Sequence, residues 1–179
     1  MRKGMGILVL VPLMLTGSAV AQKSASIVEA RTVLAAEGGA PGTALRAAAV
    51  VQVASGFHIN DHRPTLDYLI PTEWMLESTK QIRVEKVIYP KGQPKKFAFS
   101  DVDLSVYEGA LTVGAVLKIG RTAKPGTYTL KGEFKYQACN DHACLPPKNL
   151  PLALTVKVVR QGSVVKTVNA EVFRNVRFD

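Results

Sequence analysis

The chain has 179 residues, of which 47% are hydrophobic, and its 23 Lys and Arg against 14 Asp and Glu give a formal net charge of +9. The basic residues are scattered along the chain and are not interleaved with an aromatic series, which argues against a nucleic-acid-binding protein. No segment after the first 21 residues is long and apolar enough to span a bilayer, which takes about 20 apolar residues.

The first residues follow the order of a secretory signal peptide. Arg2 and Lys3 precede an apolar run from Ile7 to Leu15, and Ala19-Val20-Ala21 supplies the small residues that signal peptidase recognises. We therefore assign residues 1–21 to a signal peptide and expect one mature domain of about 158 residues. The sequence predicts a periplasmic protein, in a compartment where disulfides form.

The remaining chain has the pattern of an all-β protein. Residues 22–43 are rich in Ala, Gly and Ser and predict a flexible lead-in with one short strand near Ser26–Leu34. Residues 44–179 alternate apolar and polar side chains between turn signals, and their number of strands favours a single immunoglobulin-like β-sandwich. The strands expected there are Leu45–Val53, Phe57–Asn60, Ile82–Tyr89, Leu111–Ile119, Thr127–Gln137, Leu152–Arg160 and Val164–Phe173.

The two cysteines, Cys139 and Cys144, flank a loop that begins with the turn-forming pair Asn140-Asp141. Cysteines at the two ends of such a loop can meet, with Cα atoms roughly 4.4–6.8 Å apart. In the chain-entropy model a bridge across about six residues contributes about 2 kcal/mol, against about 4 kcal/mol across about 60 residues. The pair is therefore placed poorly for stability and well for reaction with a partner, although a structural bridge stays open from the residues alone.

The loop also contains His142, beside Asp141. An imidazole near a thiol can favour the thiolate, which is the species that attacks a disulfide, and the alternative is an ordinary loop residue. The spacing is not a standard zinc or haem-attachment pattern, so we expect no metal and no cofactor. A secreted β-sandwich binding module with a structural disulfide is the alternative function, and no Gly-x-Ser-x-Gly motif indicates a hydrolase.

Four groups of residues carry a resemblance to a known family. They are G-F-H-I-N at 56–60, Y-L-I-P-T at 68–72, Y-P-K-G at 89–92 with V-Y-E-G at 106–109, and Y-Q-A-C at 136–139 with C-L-P-P at 144–147. In these residues and in their order, the chain resembles the N-terminal periplasmic domain of the thiol:disulfide interchange protein DsbD, and more closely the secreted relatives of that domain. The resemblance covers residues 45–160.

The resemblance implies an immunoglobulin-like sandwich with a redox-active disulfide on a hairpin, and an activity of the protein-disulfide reductase type. In the family the second cysteine forms mixed disulfides with partners, which assigns the attack to Cys144 and the resolving step to Cys139. Electrons would come from a membrane electron carrier and pass to thioredoxin-like periplasmic proteins.

The resemblance also indicates side chains around the cysteines. His58 and Asn60 alternate on one strand and are expected to approach the pair from one face. Family members shield the cysteines with an acidic-aromatic cap loop, and residues 95–101 here offer Phe97 and Phe99 without the acidic pattern. Because the sequence contains neither the membrane domain nor the thioredoxin-like domain usually fused to the family domain, we expect either that the reductase is a separate protein or that this chain has a narrower function.

Overall fold

The computed structural model describes residues 26–178, and the predicted signal peptide at residues 1–21 lies outside them. The described residues form thirteen strands and one short helix, and none of their helices is long and apolar enough to cross a bilayer. The strands are β1 Val28–Leu34, β2 Ala44–Val53, β3 His58–Asn60, β4 Glu73–Leu76, β5 Ile82–Ile88, β6 Gln93–Lys95, β7 Leu104–Tyr107, β8 Ala110–Ile119, β9 Gly126–Leu130, β10 Gly132–Tyr136, β11 Ala138–Cys139, β12 Lys148–Pro151 and β13 Leu154–Val158, and the helix is α1 Ala170–Phe173. The all-β prediction is confirmed.

Antiparallel pairing joins these strands into sheets that share one core. The sheet orders are β1-β2-β8-β5, β12-β10-β4, β11-β3-β7-β6 and the pair β13-β9. Alternate residues of β2 and β8 point into a buried cluster that also contains Trp74 of β4 and Phe134 of β10. Because side chains from the first two sheets meet in this cluster, the sheets face each other as in a sandwich.

The strand expected near Ser26–Leu34 is present as β1. It pairs with β2 along its full length, from Val28 opposite Val53 to Leu34 opposite Ala47. Val28 is buried in the main core. This part of the predicted lead-in therefore belongs to the folded sheet.

Two predicted strands differ from the structure. The single strand expected over Thr127–Gln137 is two strands, because β9 pairs with β13 while β10 pairs with β4 and β12. Gly132 begins β10 where a Cβ atom would lie 2.7 Å from the backbone oxygens of Met75 and Leu152, so the chain changes sheets where only glycine fits. The last strand expected over Val164–Phe173 is wrong, since Val164 is 97% exposed and the segment ends in α1.

The third sheet places the cysteines. In it, β11 pairs with β3 so that Cys139 lies opposite His58 and Ala138 lies opposite Ile59. A second, smaller hydrophobic cluster lies on this sheet, where Leu104 and Val106 of β7 pack with Phe97. The hairpin that follows β11 therefore extends from a strand that is fixed on its other side by β3.

Candidate functional site

The two cysteines form a disulfide across the narrow end of a hairpin. Cys139 and Cys144 are directly opposite in an antiparallel bridge, and their sulfur atoms are bonded at 2.04 Å. The N–H of Leu145 donates to the carbonyl of Ala138 at 2.8 Å, which makes the cysteines a non-hydrogen-bonded pair. Their Cα atoms are 3.9 Å apart, which is shorter than the roughly 4.4–6.8 Å expected for a disulfide and shorter than the roughly 4.5 Å typical of such a pair.

The loop between the cysteines is held by its first residue. The side-chain oxygen of Asn140 accepts the backbone N–H groups of His142 and Ala143, both at 2.9 Å. Asp141 and His142 are exposed at the tip. Within the described residues the imidazole of His142 makes no hydrogen bond, so nothing in this geometry directs it at a sulfur atom.

The two sulfur-bearing residues differ sharply in exposure. Cys139 is 1% exposed and lies in β11, between the hairpin and β3. Cys144 is exposed on the outer arm of the hairpin. A partner molecule can therefore reach Cys144 directly, whereas Cys139 is accessible mainly to groups inside the domain.

His58 lies against Cys139 on the interior side. It occupies the position opposite Cys139 in the β11–β3 register and is 2% exposed. Its ring packs against Phe97, with the ring centroids 4.3 Å apart. The strand register therefore places His58 next to the buried cysteine.

The aromatic stretch predicted as a cap covers His58. Phe97 is 4% exposed, and Phe99 stacks on its outer side with the centroids 5.2 Å apart while remaining 50% exposed. The ammonium of Lys95 lies 5.4 Å from the centre of the Phe97 ring. These side chains form a layered aromatic cover over the ring of His58.

Asn60 reaches the hairpin through another side chain. Its amide nitrogen donates to the carbonyl of Ile70 at 2.9 Å and to Oε1 of Gln137 at 3.4 Å. The amide nitrogen of Gln137 donates in turn to the carbonyl of Leu145 at 3.2 Å. This chain of hydrogen bonds ties the residue after Cys144 to the body of the domain.

Charged side chains surround the imidazole of His58. With His58, the side chains of Lys95, Glu108 and Asp141 line a cleft of about 430 Å³ that residues 52–57 and Gly109 complete. Burial lowers the pKa of His58 below its ordinary value of 6.5, and Lys95 acts in the same direction, while Glu108 and Asp141 oppose them. The imidazole of His58 is therefore neutral at pH 7.

A separate polar network lies at the other end of β3. The carboxylate of Asp61 accepts the hydroxyl of Ser105 at 2.6 Å, the hydroxyl of Tyr107 at 2.5 Å, and the backbone N–H groups of Gly92 and Arg63. Burial alone would raise the pKa of Asp61, but these hydrogen bonds together lower it below its ordinary 3.8. A Cβ atom on Gly92 would lie 2.4 Å from the carboxylate, so glycine is required there.

The described residues contain no group of three or more His, Cys, Asp or Glu side chains that could hold a metal ion.

Three residues of the site were missed by reasoning from the sequence, namely Gln137, Lys95 and Glu108. Gln137 precedes Cys139 by two positions, and this strand alternation was the available signal. Lys95 and Glu108 form an ion pair across β6 and the end of β7, which no local pattern reveals.

The fold and this site together define a β-sandwich domain with an accessible disulfide on one hairpin. The chain belongs to the family described as thiol:disulfide interchange protein DsbD, N-terminal, whose model matches residues 25–155. This confirms the resemblance that the four motifs indicated. The family is periplasmic, and its domains exchange thiols and disulfides with thioredoxin-like proteins.

A solved structure agrees with the fold. The N-terminal periplasmic domain of ScsB from Proteus mirabilis is 14% identical, with a TM-score of 0.51 over 76% of this chain and 48% of that chain. The chain thus spans about half the length of that structure, and the likeness shows the fold alone. The reduced N-terminal domain of DsbD from Neisseria meningitidis is 14% identical over 77% of this chain and 88% of its own, with a TM-score of 0.43. No curated protein matches the chain.

Proposed function

We propose that the chain is a periplasmic thiol–disulfide exchange relay that passes electrons from a membrane-linked reductase to secreted oxidoreductases through Cys139 and Cys144. The observation that carries the proposal is the unequal exposure of the two cysteines within the family fold. An exchange reaction needs one sulfur that a partner can reach and a second one held close behind it. A purely structural bridge has no need of either property.

The exchange has two steps. In the reduced protein, the thiolate of Cys144 attacks one sulfur of a partner disulfide, forms a mixed disulfide and releases the other partner sulfur as a thiolate. The thiolate of Cys139 then attacks Cys144, which re-forms the Cys139–Cys144 bond and releases the second partner thiolate. Two electrons pass to the partner, and its two thiolates take up the two protons that the cysteines lost.

The hairpin geometry supports this order of attack. Because Cys139 is opposite Cys144 in a narrow antiparallel pair, its sulfur is already next to the sulfur that it must attack. The resolving step is therefore intramolecular and well oriented, and such steps gain a large rate advantage over bimolecular reactions. The chain from Asn60 through Gln137 to Leu145 keeps the outer arm of the hairpin in place while a partner binds.

Trapping of intermediates tests the proposal. In a Cys139→Ser variant the mixed disulfide through Cys144 cannot be resolved, so covalent complexes with thioredoxin-like proteins of a periplasmic extract should accumulate. They should disappear on reduction, and a Cys144→Ser variant should form none. Both variants lose the disulfide, so the difference in trapping between them identifies the cysteine that attacks.

The opposite result would contradict the proposal. A secreted binding module with a structural disulfide predicts that neither variant forms covalent complexes and that Cys144→Ser leaves partner binding intact. Complexes formed by Cys144→Ser instead of Cys139→Ser would reverse the assignment of the two roles.

The periplasmic site of action is also part of the proposal. It is supported by the signal-peptide pattern of residues 1–21 and by the family's location. Expression of the full chain with its N-terminus intact should give a periplasmic product that begins after Ala21. A product retained in the cytoplasm with residues 1–21 attached would contradict it.

A further inference from the structure

Cys139 has a second cross-strand neighbour besides Cys144. On one side the bridge places it opposite Cys144, and on the other side the β11–β3 register places it opposite His58. Residues directly opposite in an antiparallel pair present their side chains on the same face, with Cβ atoms about 4.5–5.5 Å apart. Cys144, Cys139 and His58 therefore form a row across the outer arm of the hairpin, β11 and β3.

The middle member of this row needs a proton acceptor. Only a thiolate attacks a disulfide, and burial in apolar surroundings keeps a cysteine protonated. Cys139 is 1% exposed, and Phe97, which covers its neighbour His58, is 4% exposed. The proton of Cys139 must therefore leave through a group inside the domain before Cys139 can attack.

His58 has the position and the charge environment for this task. Although it is only 2% exposed, it also lines the cleft of about 430 Å³ and so connects the interior with the surface. The charged groups that face it are the carboxylates of Glu108 and Asp141 and the ammonium of Lys95, which is paired with Glu108. The two carboxylates stabilise an imidazolium once it forms, while burial keeps the resting ring neutral and able to accept a proton.

We propose that His58 accepts the proton of the Cys139 thiol in the resolving step and passes it to the cleft. The inference rests on the proposed exchange function. The S–H bond of Cys139 breaks as an N–H bond forms on His58, and the thiolate then attacks Cys144. The Cys139–Cys144 bond forms, the bond between Cys144 and the partner sulfur breaks, and the departing partner thiolate is protonated from solvent.

This assignment moves the active histidine from the loop to the strand. The sequence draws attention to His142, which lies between the cysteines, but that residue is exposed and its imidazole has no hydrogen bond within the described residues. His58 lies 81 positions before Cys139 in the sequence and becomes its neighbour only through strand pairing. The geometry therefore separates the two histidines that the pattern alone could not rank.

A two-step release of a coloured thiolate measures the resolving step directly. The reduced full chain reacts with an aromatic nitrobenzoate disulfide, so that attack by Cys144 releases one thiolate and attack by Cys139 releases the second. In His58→Gln and His58→Phe, we expect the second release to slow by about 100-fold at neutral pH, as for loss of a general base. The first release should keep its native rate, and His58→Phe preserves a ring next to Phe97.

The pH profile and a rescue experiment distinguish proton transfer from a packing role. In the variants, the second release should rise steadily with pH, as for an unassisted thiol, whereas in the native protein it should reach a plateau. Imidazoles added to His58→Ala should restore the rate through the cleft, in the order of their basicity. His62→Gln is the control and should keep the native rate of the second release, because His62 is not part of the row. Its ring stacks on that of Tyr89, with the ring centroids 3.7 Å apart.

The outcomes separate this inference from the proposed function. The inference would be overturned if the second thiolate is released by His58→Gln and His58→Phe within about twofold of the native rate at all pH values. It would also be overturned if the rate restored by added imidazoles does not depend on their basicity. If Cys139→Ser still traps thioredoxin-like proteins in that case, the relay function stands without it. A resolving step that depends on His58, together with no trapped protein partner, would retain the inference and contradict the relay.

Discussion

The two ends of β3 lead to two polar regions of opposite character. Beyond Asn60, the Asp61 carboxylate is buried and filled by four donors, so it has no remaining capacity to bind a partner. At His58, the strand meets a disulfide with one buried and one exposed cysteine, beside a cleft lined by charged groups. A saturated network holds the loops in place, whereas the unequal hairpin leaves Cys144, the proposed attacking residue, exposed. In this domain, burial and a complete set of hydrogen bonds, more than residue type, therefore distinguish a polar group that supports the fold from one that is proposed to react.

The comparison predicts that the largest loss of stability comes from the saturated region. Asp61→Asn keeps the shape of the side chain but removes the charge and leaves at least one buried donor without an acceptor. Hydrogen bonds to a charged group contribute about 1.5–3 kcal/mol each, so we expect a loss of about 3 kcal/mol in the free energy of unfolding by urea. Asp67→Asn, at an exposed carboxylate in the same loop, is the control and should change stability by less than about 0.5 kcal/mol. A loss in Asp61→Asn as small as in this control would show that the network is not structural.

Reduction of the disulfide should have a smaller effect. The bridge closes a separation of five residues, for which the chain-entropy model gives about 2 kcal/mol. Urea unfolding with and without a strong reductant measures this difference, and Cys139→Ser in the same buffers controls for the action of the reductant itself. A loss above about 4 kcal/mol, the value for a long loop, would identify the bridge as a major support of the fold.

The two regions should also respond to different pH ranges. The pKa of His58 is lowered from 6.5 in the folded state, so the unfolded chain binds more protons below that pH and stability is lost as pH falls through this range. The pKa of Asp61 is lowered from 3.8, so its contribution is complete above that value and is lost as pH falls further. Unfolding measured over both ranges should show two separate losses.

Variants assign each of these losses to its residue. His58→Gln should remove the loss that begins near pH 6.5 and keep the one below pH 3.8. Asp61→Asn should do the reverse. If both variants keep both losses, other groups are responsible and the environments of the two residues differ less than the structure indicates.

The smallest effect is expected at the link between the two regions. Gln137→Ala removes two long hydrogen bonds, to Asn60 at 3.4 Å and to the carbonyl of Leu145 at 3.2 Å, and neutral bonds at the weak end of their range contribute about 0.5 kcal/mol each. We expect a stability loss of about 1 kcal/mol and faster hydrogen exchange in the outer arm of the hairpin, at Leu145. Exchange that is unchanged at Leu145 would show that the arm is held by its backbone pairing alone.

Local patterns predicted the long strands because these bury one face and repeat with period two. β2, β5, β8 and β13 were anticipated within a few residues for this reason. Of the three- and four-residue strands, β3 was anticipated as Phe57–Asn60, whereas β4, β6, β7 and β12 were not, because so few residues carry little periodic signal and depend on their partners. The division of Thr127–Gln137 at Gly132 was missed for a related reason, since both halves keep one alternation while they join different sheets.

The site was predictable in its cysteines and less so in their surroundings. The spacing of Cys139 and Cys144 was enough to expect a disulfide, and the resemblance indicated His58 and Phe97. The difference in exposure between the cysteines could not be predicted, because it depends on which hairpin arm is covered by β3. The cleft around His58 depends on the pairing of Lys95 with Glu108, which lie on different strands and meet only after folding.

The reduction potential of the Cys139–Cys144 pair tests the central claim most directly. Equilibration of the full chain with thiol–disulfide buffers of known potential, followed by quantification of the reduced fraction, gives this value. A relay that exchanges electrons with periplasmic thioredoxin-like proteins requires a potential above about −300 mV, and we predict a value in that range. A potential well below about −300 mV would mark the bridge as an inert structural disulfide and contradict the account.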